Sequence, residues 1–384
     1  MASHLAEGKE LFVSRRIQLI CDARKNERDF DVLIMERLFK GKKVLVTGGT
    51  GSIGRVIILE ILRYSPEVVR ILDIDETREF EMRQQLTDYP NVRFLLGSIR
   101  DKERLLRAME NIDIVFHLAS LKHVLACEYN PFEAVKTNVI GTQNLIDAAL
   151  EEESVDRVIF TSSDKAANPC NVMGATKLLA ERLITAANYY KGWRKTIFCS
   201  VRFGNVLGSR GSIIPLFKDQ IRSGGPITLT DERMTRFVMP MSQTGSVLFK
   251  AAEMAQGGEI FVPKMKSVRT LDLAKVIVEE LCGHDADSIT IKVVGRQPGE
   301  KLFEEIMTQS EAEHALETED MFILLPEITE DMFILLPEIT KNSRVETFQY
   351  PNARPTKLRG YRSDDVEVLS KQEIKDMFRK ESLF

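Results

Sequence analysis

The chain is poor in the residues that build disulfide frameworks and structural zinc sites. Its 384 residues include five cysteines, an odd and scattered set in which no two have Cys-x-x-Cys spacing. Disulfide frameworks and zinc sites depend on paired or closely spaced cysteines. The cysteine content therefore favours neither, and it fits a reducing cytoplasm.

The chain also lacks a charge excess and a long apolar run. Lys plus Arg number 53 against 57 Asp plus Glu, which gives a net charge of −4. This balance argues against nucleic acid or an anionic membrane surface as a partner, because both attract broad basic surfaces. No apolar run approaches the roughly 20 residues that a membrane span needs, and no signal-peptide pattern begins the chain. We therefore expect a cytoplasmic protein without membrane insertion.

The distribution of apolar residues predicts the domain organisation. Residues 1–40 are highly charged with apolar residues at helical spacing, and we predict a helical N-terminal extension there. Residues 41–205 alternate short β-branched runs with amphipathic segments, which predicts an α/β fold with a doubly wound parallel sheet, the Rossmann arrangement. Residues 206–384 are less regular and are interpreted mainly as a smaller substrate-binding lobe, with some segments returning to the Rossmann domain. The predicted strands are Val44–Thr47, Val69–Ile74, Val92–Leu96, Ile114–Leu118, Val158–Ser162 and Thr196–Val201.

A tandem duplication interrupts the C-terminal part. Residues 319–329 recur without change as residues 330–340, and each copy holds one apolar run closed by proline. Two copies do not make a solenoid, which needs at least about three units. We expect one copy to fill a strand position while the other is looped out.

A glycine-rich loop follows the first predicted strand and opens a helix. Glycines allow the backbone to approach a pyrophosphate, and a helix N-terminus supplies oriented N–H groups. Asp73 ends the next predicted strand, where a carboxylate can bind the adenosine ribose hydroxyls. It would repel a 2′-phosphate and so favours NAD, although Arg55 and Arg78 leave NADP open. The predicted loop residues are Gly48, Gly51, Ser52, Ile53 and Gly54.

Two further motifs lie where the fifth predicted strand passes into the next helix. Ser163 precedes Asp164 and Lys165, an acid and an amine side by side. A surface pair of this kind is usually solvated, but its place after a buried strand favours an active site. Lys177 follows Met173 by four residues, on the same helical face, where it can contact a nicotinamide ribose.

With these motifs, the chain resembles the extended short-chain dehydrogenases/reductases. More closely, it resembles the UDP-N-acetylglucosamine 4,6-dehydratases of polysaccharide biosynthesis, the CapD-like group. The resemblance covers about residues 41–310. The segments that carry it are Phe116–Ser120, Leu121–Val124, Asn138–Thr142, Ser163–Ala166, Asn171–Lys177, Arg202–Ser212, Asp231–Phe237 and Pro298–Lys301.

The resemblance implies a catalytic cycle with a bound nicotinamide. Elimination of water across C5–C6 of a hexose requires oxidation of C4, which activates the C5 proton, and hydride then returns to C6. The acid of the family matches Asp164, and its base matches Lys165. Met173 stands where ordinary members have tyrosine, so the C4 base stays open. Asp164 with Ser163 is the first choice, and a water held by Lys177 is the second.

The resemblance also implies further binding residues. Ala119 and Asn138 match cofactor-binding positions. Arg210, Arg236 and Arg296 are interpreted as ligands of a diphosphate, because a guanidinium group pairs bidentately with phosphate oxygens. No metal site is predicted, because the histidines lack partners at ligand spacing. The predicted substrate-binding residues are Lys122, His123, Asn205, Arg210, Arg236, Arg296 and Glu300.

Three functions are compatible with these features. A UDP-N-acetylglucosamine 4,6-dehydratase would use the pair of Asp164 and Lys165 at C5 and C6. A 4-epimerase would return hydride to C4 and would not need that pair. A non-catalytic NAD(P)-binding regulatory protein would tolerate loss of Lys177, which is present. We favour the dehydratase and expect UDP-N-acetylglucosamine as its partner, in a homo-oligomer that is a dimer or a hexamer.

Overall fold

A computed structural model describes residues 34–283, 289–326 and 349–383. Most of the predicted N-terminal extension, residues 1–33, lies outside this part of the chain. Residues 34–39 are helical, and Leu38 and Phe39 are buried in the core. Phe39 stacks edge-on against Phe249, with ring centroids 4.8 Å apart.

A large sheet organises the described residues. Its central strands are parallel, and the antiparallel partners lie on one side. The predicted doubly wound α/β fold is therefore confirmed, with each predicted strand present within one or two residues. In spatial order the ten strands are β16 (Arg354–Pro355), β14 (Ala315–Glu317), β15 (Met321–Leu324), β10 (Ile260–Pro263), β6 (Ile197–Phe203), β5 (Arg157–Ser163), β4 (Ile114–His117), β1 (Lys43–Thr47), β2 (Val68–Asp73) and β3 (Val92–Leu96).

Helices cover both faces of the sheet. Successive strand residues point to opposite faces, so Val44 and Val46 enter one apolar core while Leu45 enters the other. Helices α1 (Ser52–Leu62) and α9 (Thr244–Met254) cover the first face. The other face is covered by helices α3 (Lys102–Met109), α6 (Gly141–Glu151) and α7 (Val172–Tyr190), with α2 (Glu76–Gln85) beside β3 at the sheet edge.

A smaller lobe is built from segments after residue 205. Its apolar core joins helices to two short parallel strands. The same stretch of chain also supplies β10, β14, β15 and β16 of the main sheet, so the lobe and the sheet share it. The lobe elements are β7 (Asn205–Val206), α8 (Ile213–Arg222), β8 (Ile227–Leu229), β9 (Thr235–Met239), β11 (Lys266–Arg269), α10 (Thr270–Cys282), β12 (Ile291–Val293) and α12 (Lys371–Lys380). Between the lobe and the sheet lie β13 (Glu305–Met307), α11 (Gln309–Glu313) and β17 (Tyr361–Arg362), whose apolar residues join the first core of the sheet.

The first copy of the duplicated segment supplies a strand. Its residues Met321–Leu324 form β15, which pairs antiparallel with β10 and β14. The second copy, residues 330–340, lies outside the described residues.

The strand order places a crevice beside β1 and β4. From β1 the chain proceeds to β2 and β3 on one side, and from β4 to β5 and β6 on the other. Ligands of open α/β sheets bind outside the carboxyl ends of the strands at such a reversal. The remaining short elements near it are α4 (Val124–Tyr129), α5 (Pro131–Ala134), a π-helical turn (Val135–Ile140) and a 3₁₀ turn (Asp164–Ala166).

Candidate active site

A cavity of about 960 Å³ opens at the carboxyl ends of β1, β4 and β5 and extends to the smaller lobe. It gathers most of the residues predicted from the sequence to form the site. The predicted residues that line it are Gly48, Gly51, Ser52, Ile53, Gly54, Asp73, Ala119, Lys122, His123, Ser163, Lys165, Met173, Lys177, Asn205, Arg236 and Glu300.

The glycine-rich loop has the shape that a pyrophosphate requires. Gly48 has a φ of +67°, and a Cβ atom there would lie 2.8 Å from the backbone of Ala119. Gly51 is the N-cap of α1, and no side chain caps that helix. A glycine-rich loop that leads to an uncapped helix N-terminus suits an anion. These residues therefore fit a dinucleotide cofactor.

Asp73 organises the other end of the dinucleotide cleft. Its Oδ2 accepts hydrogen bonds from the backbone N–H of Thr50 at 3.0 Å and from the Thr50 hydroxyl at 2.7 Å. Its Oδ1 accepts from the N–H groups of Ile74 and Asp75. The carboxylate thus fixes the glycine-rich loop against the end of β2 while it lines the cavity.

Asn138 lies behind the cavity wall and is absent from the cavity lining. The side chain of Asn138 is buried and exchanges two hydrogen bonds with the backbone of Leu121, at 2.8 and 2.9 Å. It also donates to the Thr176 hydroxyl at 3.0 Å. With its donors and acceptor used in this way, Asn138 holds the loop after β4 against α7 and supports the cavity wall, while its predicted contact with the cofactor stays a prediction.

Lys177 lies at the centre of the cavity wall. Its Nζ donates a 2.9 Å hydrogen bond to the carbonyl oxygen of Thr161 and lies 4.6 Å from the ring centroid of Phe160. Burial lowers the pKa of Lys177 to about 8. Met173, one turn earlier, is 3 % exposed and packs with Cys127 and Ala134. The amine is therefore positioned at the end of β5, beside an apolar side chain that transfers no proton.

The turn after β5 joins the predicted acid and base. Ser163 caps the 3₁₀ turn, and its hydroxyl donates to Asp164 Oδ1 at 2.9 Å. Lys165 Nζ donates to the same oxygen at 3.0 Å. Asp164 is 1 % exposed, and its Oδ2 has no partner within the described residues. Ser163 and Lys165 line the cavity, and Asp164 lies directly behind them.

The start of α7 is packed tightly against this turn. A Cβ atom at Gly174 would lie 2.2 Å from the carbonyl oxygen of Lys165, which explains why glycine occupies the position. Asn171 caps the helix by accepting a hydrogen bond from the Gly174 N–H at 2.7 Å. Its amide also donates to the carbonyl of Gly299 at 2.9 Å, which fixes the segment that holds Glu300.

Glu304 is a site residue that sequence reasoning missed. Its carboxylate lines the cavity, and its Oε1 lies 3.3 Å from Lys165 Nζ. Burial lowers the pKa of Lys165, but the carboxylates of Asp164 and Glu304 outweigh that effect and hold the pKa above its usual value. The only signal in the sequence was the nearness of Glu304 to the motif that ends at Lys301.

Arg236 lines the cavity beside Glu304. Its guanidinium donates to the backbone carbonyls of Thr235 at 2.7 Å, Lys301 at 2.9 Å and Leu302 at 3.2 Å. Its Nε lies 3.7 Å from Glu304 Oε1. With a further bond to Met234 Sδ, these contacts engage both terminal nitrogens, so Arg236 clamps the segment before β13. Its predicted contact with a diphosphate stays a prediction.

The other two predicted arginines lie outside the cavity lining. The side chain of Arg210 is exposed, while its backbone N–H donates to Ser52 Oγ at 3.0 Å and its carbonyl accepts from Lys122 Nζ at 2.6 Å. Arg296 is exposed as well. The backbone of Arg210 therefore closes a loop over the glycine-rich segment, and neither guanidinium is brought to the cavity.

The histidines near the strands differ in environment. His117 is buried between the hydroxyls of Thr47 and Thr142, at 2.8 and 3.1 Å, and burial lowers its pKa to about 3. His123 lines the cavity, where burial and the neighbouring Lys122 lower its pKa. Within the described residues, no cluster of three or more His, Cys, Asp or Glu side chains could hold a metal ion.

Comparison with known proteins places the chain among polysaccharide biosynthesis proteins. A protein of Methanocaldococcus jannaschii, named as an uncharacterized membrane protein, is 49% identical over 348 residues, which are 90% of this chain and 97% of that one. No helix in the described part of the present chain is long and apolar enough to cross a membrane. The UDP-N-acetylglucosamine 4,6-dehydratase (inverting) of Campylobacter jejuni is 40% identical over 293 residues, 76% of this chain and 85% of that one.

Among solved structures, Pen from Bacillus thuringiensis is 45% identical and superposes with a TM-score of 0.81 over 90% of this chain and 99% of that one. The dTDP-glucose 4,6-dehydratase DesIV from Streptomyces venezuelae, 23% identical over 68% of this chain and 86% of that one, shares the fold with a TM-score of 0.61. The family model described as polysaccharide biosynthesis protein matches residues 44–326. The chain therefore belongs to the polysaccharide biosynthesis protein family.

Proposed function

We propose that this protein is a UDP-N-acetylglucosamine 4,6-dehydratase, an NAD(P)-dependent hydro-lyase. Its product would be a UDP-4-keto-6-deoxy-N-acetylhexosamine. The observation that carries the proposal is the hydrogen-bonded pair of Lys165 and Asp164, 3.0 Å apart at the end of β5 beside the dinucleotide cleft. A 4-epimerase has no use for such a pair, because it eliminates nothing across C5 and C6. The 40% identity to the Campylobacter jejuni dehydratase supports the same substrate class.

The cofactor-binding roles follow the shape of the cleft. Gly48, Gly51 and the first turn of α1 would hold the pyrophosphate, and Asp73 would face the adenosine ribose. Lys177 would bind the nicotinamide ribose. A nicotinamide bound there supplies reversible acceptance of a hydride from the sugar. The carboxylate of Asp73 still favours NAD over NADP in this proposal.

Ser163 and Asp164 would manage the protons of the C4 and C6 hydroxyls. Ser163 lines the cavity, and its hydroxyl donates to Asp164 Oδ1. It would therefore pass protons between the substrate and the Asp164 carboxylate, which lies behind the cavity lining. When C4 is oxidised, its hydroxyl proton passes through Ser163 to Asp164. The same route then returns a proton to the departing C6 oxygen. In this way the site works without the tyrosine that Met173 replaces.

Lys165 would take the C5 proton. A general base must reach the proton that it removes, and Lys165 is the amine of the pair that lines the cavity. The amine becomes free when its own proton leaves to solvent through the cavity, because Asp164 already holds the proton from C4, and Lys165 regains a proton from solvent after it returns one to C5 as hydride adds to C6. Lys122, His123, Asn205 and Glu300 would bind the substrate from the opposite wall.

We further propose that the enzyme works in the cytoplasm as a homo-oligomer. Its substrate and cofactor are both soluble small molecules.

The arginines Arg210 and Arg296 would reach the diphosphate only if their exposed side chains turned towards the cavity.

The mass of the product tests the proposal. The purified protein is incubated with UDP-N-acetylglucosamine and added NAD or NADP, and the nucleotide sugars are analysed by mass spectrometry. Loss of one water supports the dehydratase. Unchanged mass with altered stereochemistry would indicate an epimerase, and no reaction with either cofactor would favour a binding protein. Lys250→Met, which alters an exposed ion pair with Asp320, is a control that should react as the parent does.

A further inference from the structure

Glu304 connects the smaller lobe to the acid–base pair. Its backbone N–H donates to Ser363 Oγ at 2.9 Å, and its carbonyl accepts from the Ser363 N–H at 2.8 Å. The Ser363 hydroxyl also lies 2.8 Å from that of Thr235 on β9. The backbone of Glu304 is therefore held on both sides before its side chain enters the cavity.

The Glu304 carboxylate has one engaged oxygen and one open oxygen. Oε1 lies 3.3 Å from Lys165 Nζ and 3.7 Å from Arg236 Nε. Oε2 is buried and has no hydrogen-bond partner within the described residues. The residue is 3 % exposed, so water screens these interactions weakly. Lys165 thus lies between two carboxylates, Asp164 from its own turn and Glu304 from the segment just before β13.

Other charged groups around the turn are engaged elsewhere. Lys177 on α7 donates to the Thr161 carbonyl, and Lys301 donates to the carbonyls of Ala167 and Asn168. Arg202 on β6 is paired with Glu181 and Glu311. Glu305 on β13 accepts from the Asn168 amide at 3.2 Å. The charged groups that face Lys165 are therefore Asp164, Glu304 and Arg236, as the electrostatic influences on its amine also indicate.

We propose that Glu304 is a positioning residue that holds Lys165 for removal of the C5 proton. The inference rests on the proposed dehydration. In that step the C5–H bond breaks and its proton goes to Lys165 Nζ, while the electron pair forms the C5–C6 double bond. The C6–O bond breaks, and the departing oxygen takes a proton from Asp164 through Ser163 and leaves as water.

Glu304 acts on this step by electrostatics. Positive charge develops on Lys165 as it accepts the proton, and a fixed carboxylate 3.3 Å away stabilises that charge. The bond also keeps the amine from turning towards solvent. The carboxylate comes from the segment just before β13, so the base is complete only when that segment packs against the turn after β5.

Glu304→Gln tests the proposal because it keeps the shape and removes the charge. We expect kcat to fall about 10-fold, less than the roughly 10²–10⁴-fold that a group transferring the proton itself contributes. Removal of a negative charge also weakens proton binding by the pair of Asp164 and Lys165, so both limbs of the kcat profile should move to lower pH. A residue with a merely structural role would lower kcat without moving either limb.

Two further variants sharpen the test. Glu305→Gln removes the neighbouring carboxylate, which faces Asn168, and should leave the pH profile unchanged. Glu304→Asp keeps the charge on a shorter side chain, so it should restore the position of both limbs while part of the loss in kcat remains. Thermal unfolding of each variant identifies any that fails to fold. If Glu304→Gln does not fold, Glu304→Asp is compared with the parent instead.

A measurement without turnover separates this inference from the proposed function. Lysine labelled with ¹³C at Cε reports the titration of Lys165, whose signal is identified by its loss in Lys165→Met. The Lys165 pKa should be lower in Glu304→Gln than in the parent and in Glu305→Gln, whether or not the protein dehydrates the sugar. Equal Lys165 titration in all three proteins, or a pH profile that does not move, would overturn the role of Glu304.

Discussion

Lys177 Nζ donates a 2.9 Å hydrogen bond to the carbonyl oxygen of Thr161, so the lysine side chain of α7 is fixed to the C-terminal end of β5. The bond fixes the lysine where strand and helix meet at the cavity. Two residues further along β5 lies Ser163, which leads to the pair of Asp164 and Lys165. In the proposed mechanism, one strand end therefore positions the amine for the cofactor and the acid–base pair for the sugar.

Burial of Lys177 should make stability depend on pH. Its pKa falls from 10.5 to about 8 on folding, so the native state holds fewer protons than the unfolded state between these values. The free-energy cost of burying the charged Lys177 side chain therefore applies in full below pH 8, and it disappears as pH rises towards 10.5. Relative to Lys177→Met, the parent should gain on the order of 3 kcal/mol of unfolding free energy across this window. Urea unfolding of both proteins at the two pH values measures the difference, and a constant difference would show that the buried lysine stays charged.

Lys165→Met should bind the cofactor normally but fail to eliminate water. The substitution removes the proposed C5 base, and Lys165 is separate from the glycine-rich loop and Asp73, which are proposed to hold the cofactor. Cofactor released on denaturation and exchange of the C5 proton in deuterated solvent measure the two properties. C5 exchange at the parent's rate in this variant would show that another group removes the proton.

Asp164→Asn should reduce dehydration by roughly 10²–10⁴-fold, because asparagine keeps the shape but cannot deliver a proton. The unpartnered Oδ2 and the bonds from Ser163 and Lys165 support the proposed role of Asp164 in proton transfer. Steady-state turnover measures the change. Activity within a few-fold of the parent would identify Asp164 as a structural carboxylate.

Met173→Tyr should give little gain or a loss of turnover. Met173 is 3 % exposed among Cys127 and Ala134, so a larger ring overpacks the site and should cost about 1–3 kcal/mol of stability. A tyrosine beside Lys177 could remove the C4 proton, but the route through Ser163 and Asp164 makes it redundant. Turnover and thermal unfolding measure both effects. If C4 oxidation limits the rate of the parent, a large rise in turnover of the Met173→Tyr variant would contradict the proposed route.

The parts of the site that the sequence predicted are contiguous. The glycine-rich loop and Ser163 to Lys165 each lie where a strand passes into a helical segment, and Met173 to Lys177 form the first turns of α7, so local sequence specifies local geometry in each. The strands that carry them were predicted for the same reason, since buried parallel strands are continuous β-branched runs.

The parts that the sequence did not predict depend on contacts between distant segments. Glu304 reaches Lys165 only because the segment before β13 packs against the turn after β5, and no spacing rule connects them. Asn138 turns to the Leu121 backbone, and Arg236 turns to the carbonyls of residues 301 and 302, because buried polar groups must be satisfied. A motif identifies such residues but does not say which of their possible partners they bind.

The fate of the C4 hydrogen tests the central claim most directly. UDP-N-acetylglucosamine with deuterium at C4 is converted by the purified protein, and the product is analysed by mass spectrometry and NMR. The account predicts a product that has lost one water and carries the deuterium in its C6 methyl group. Deuterium retained at C4 in a product of unchanged mass would contradict dehydration and would indicate an epimerase instead.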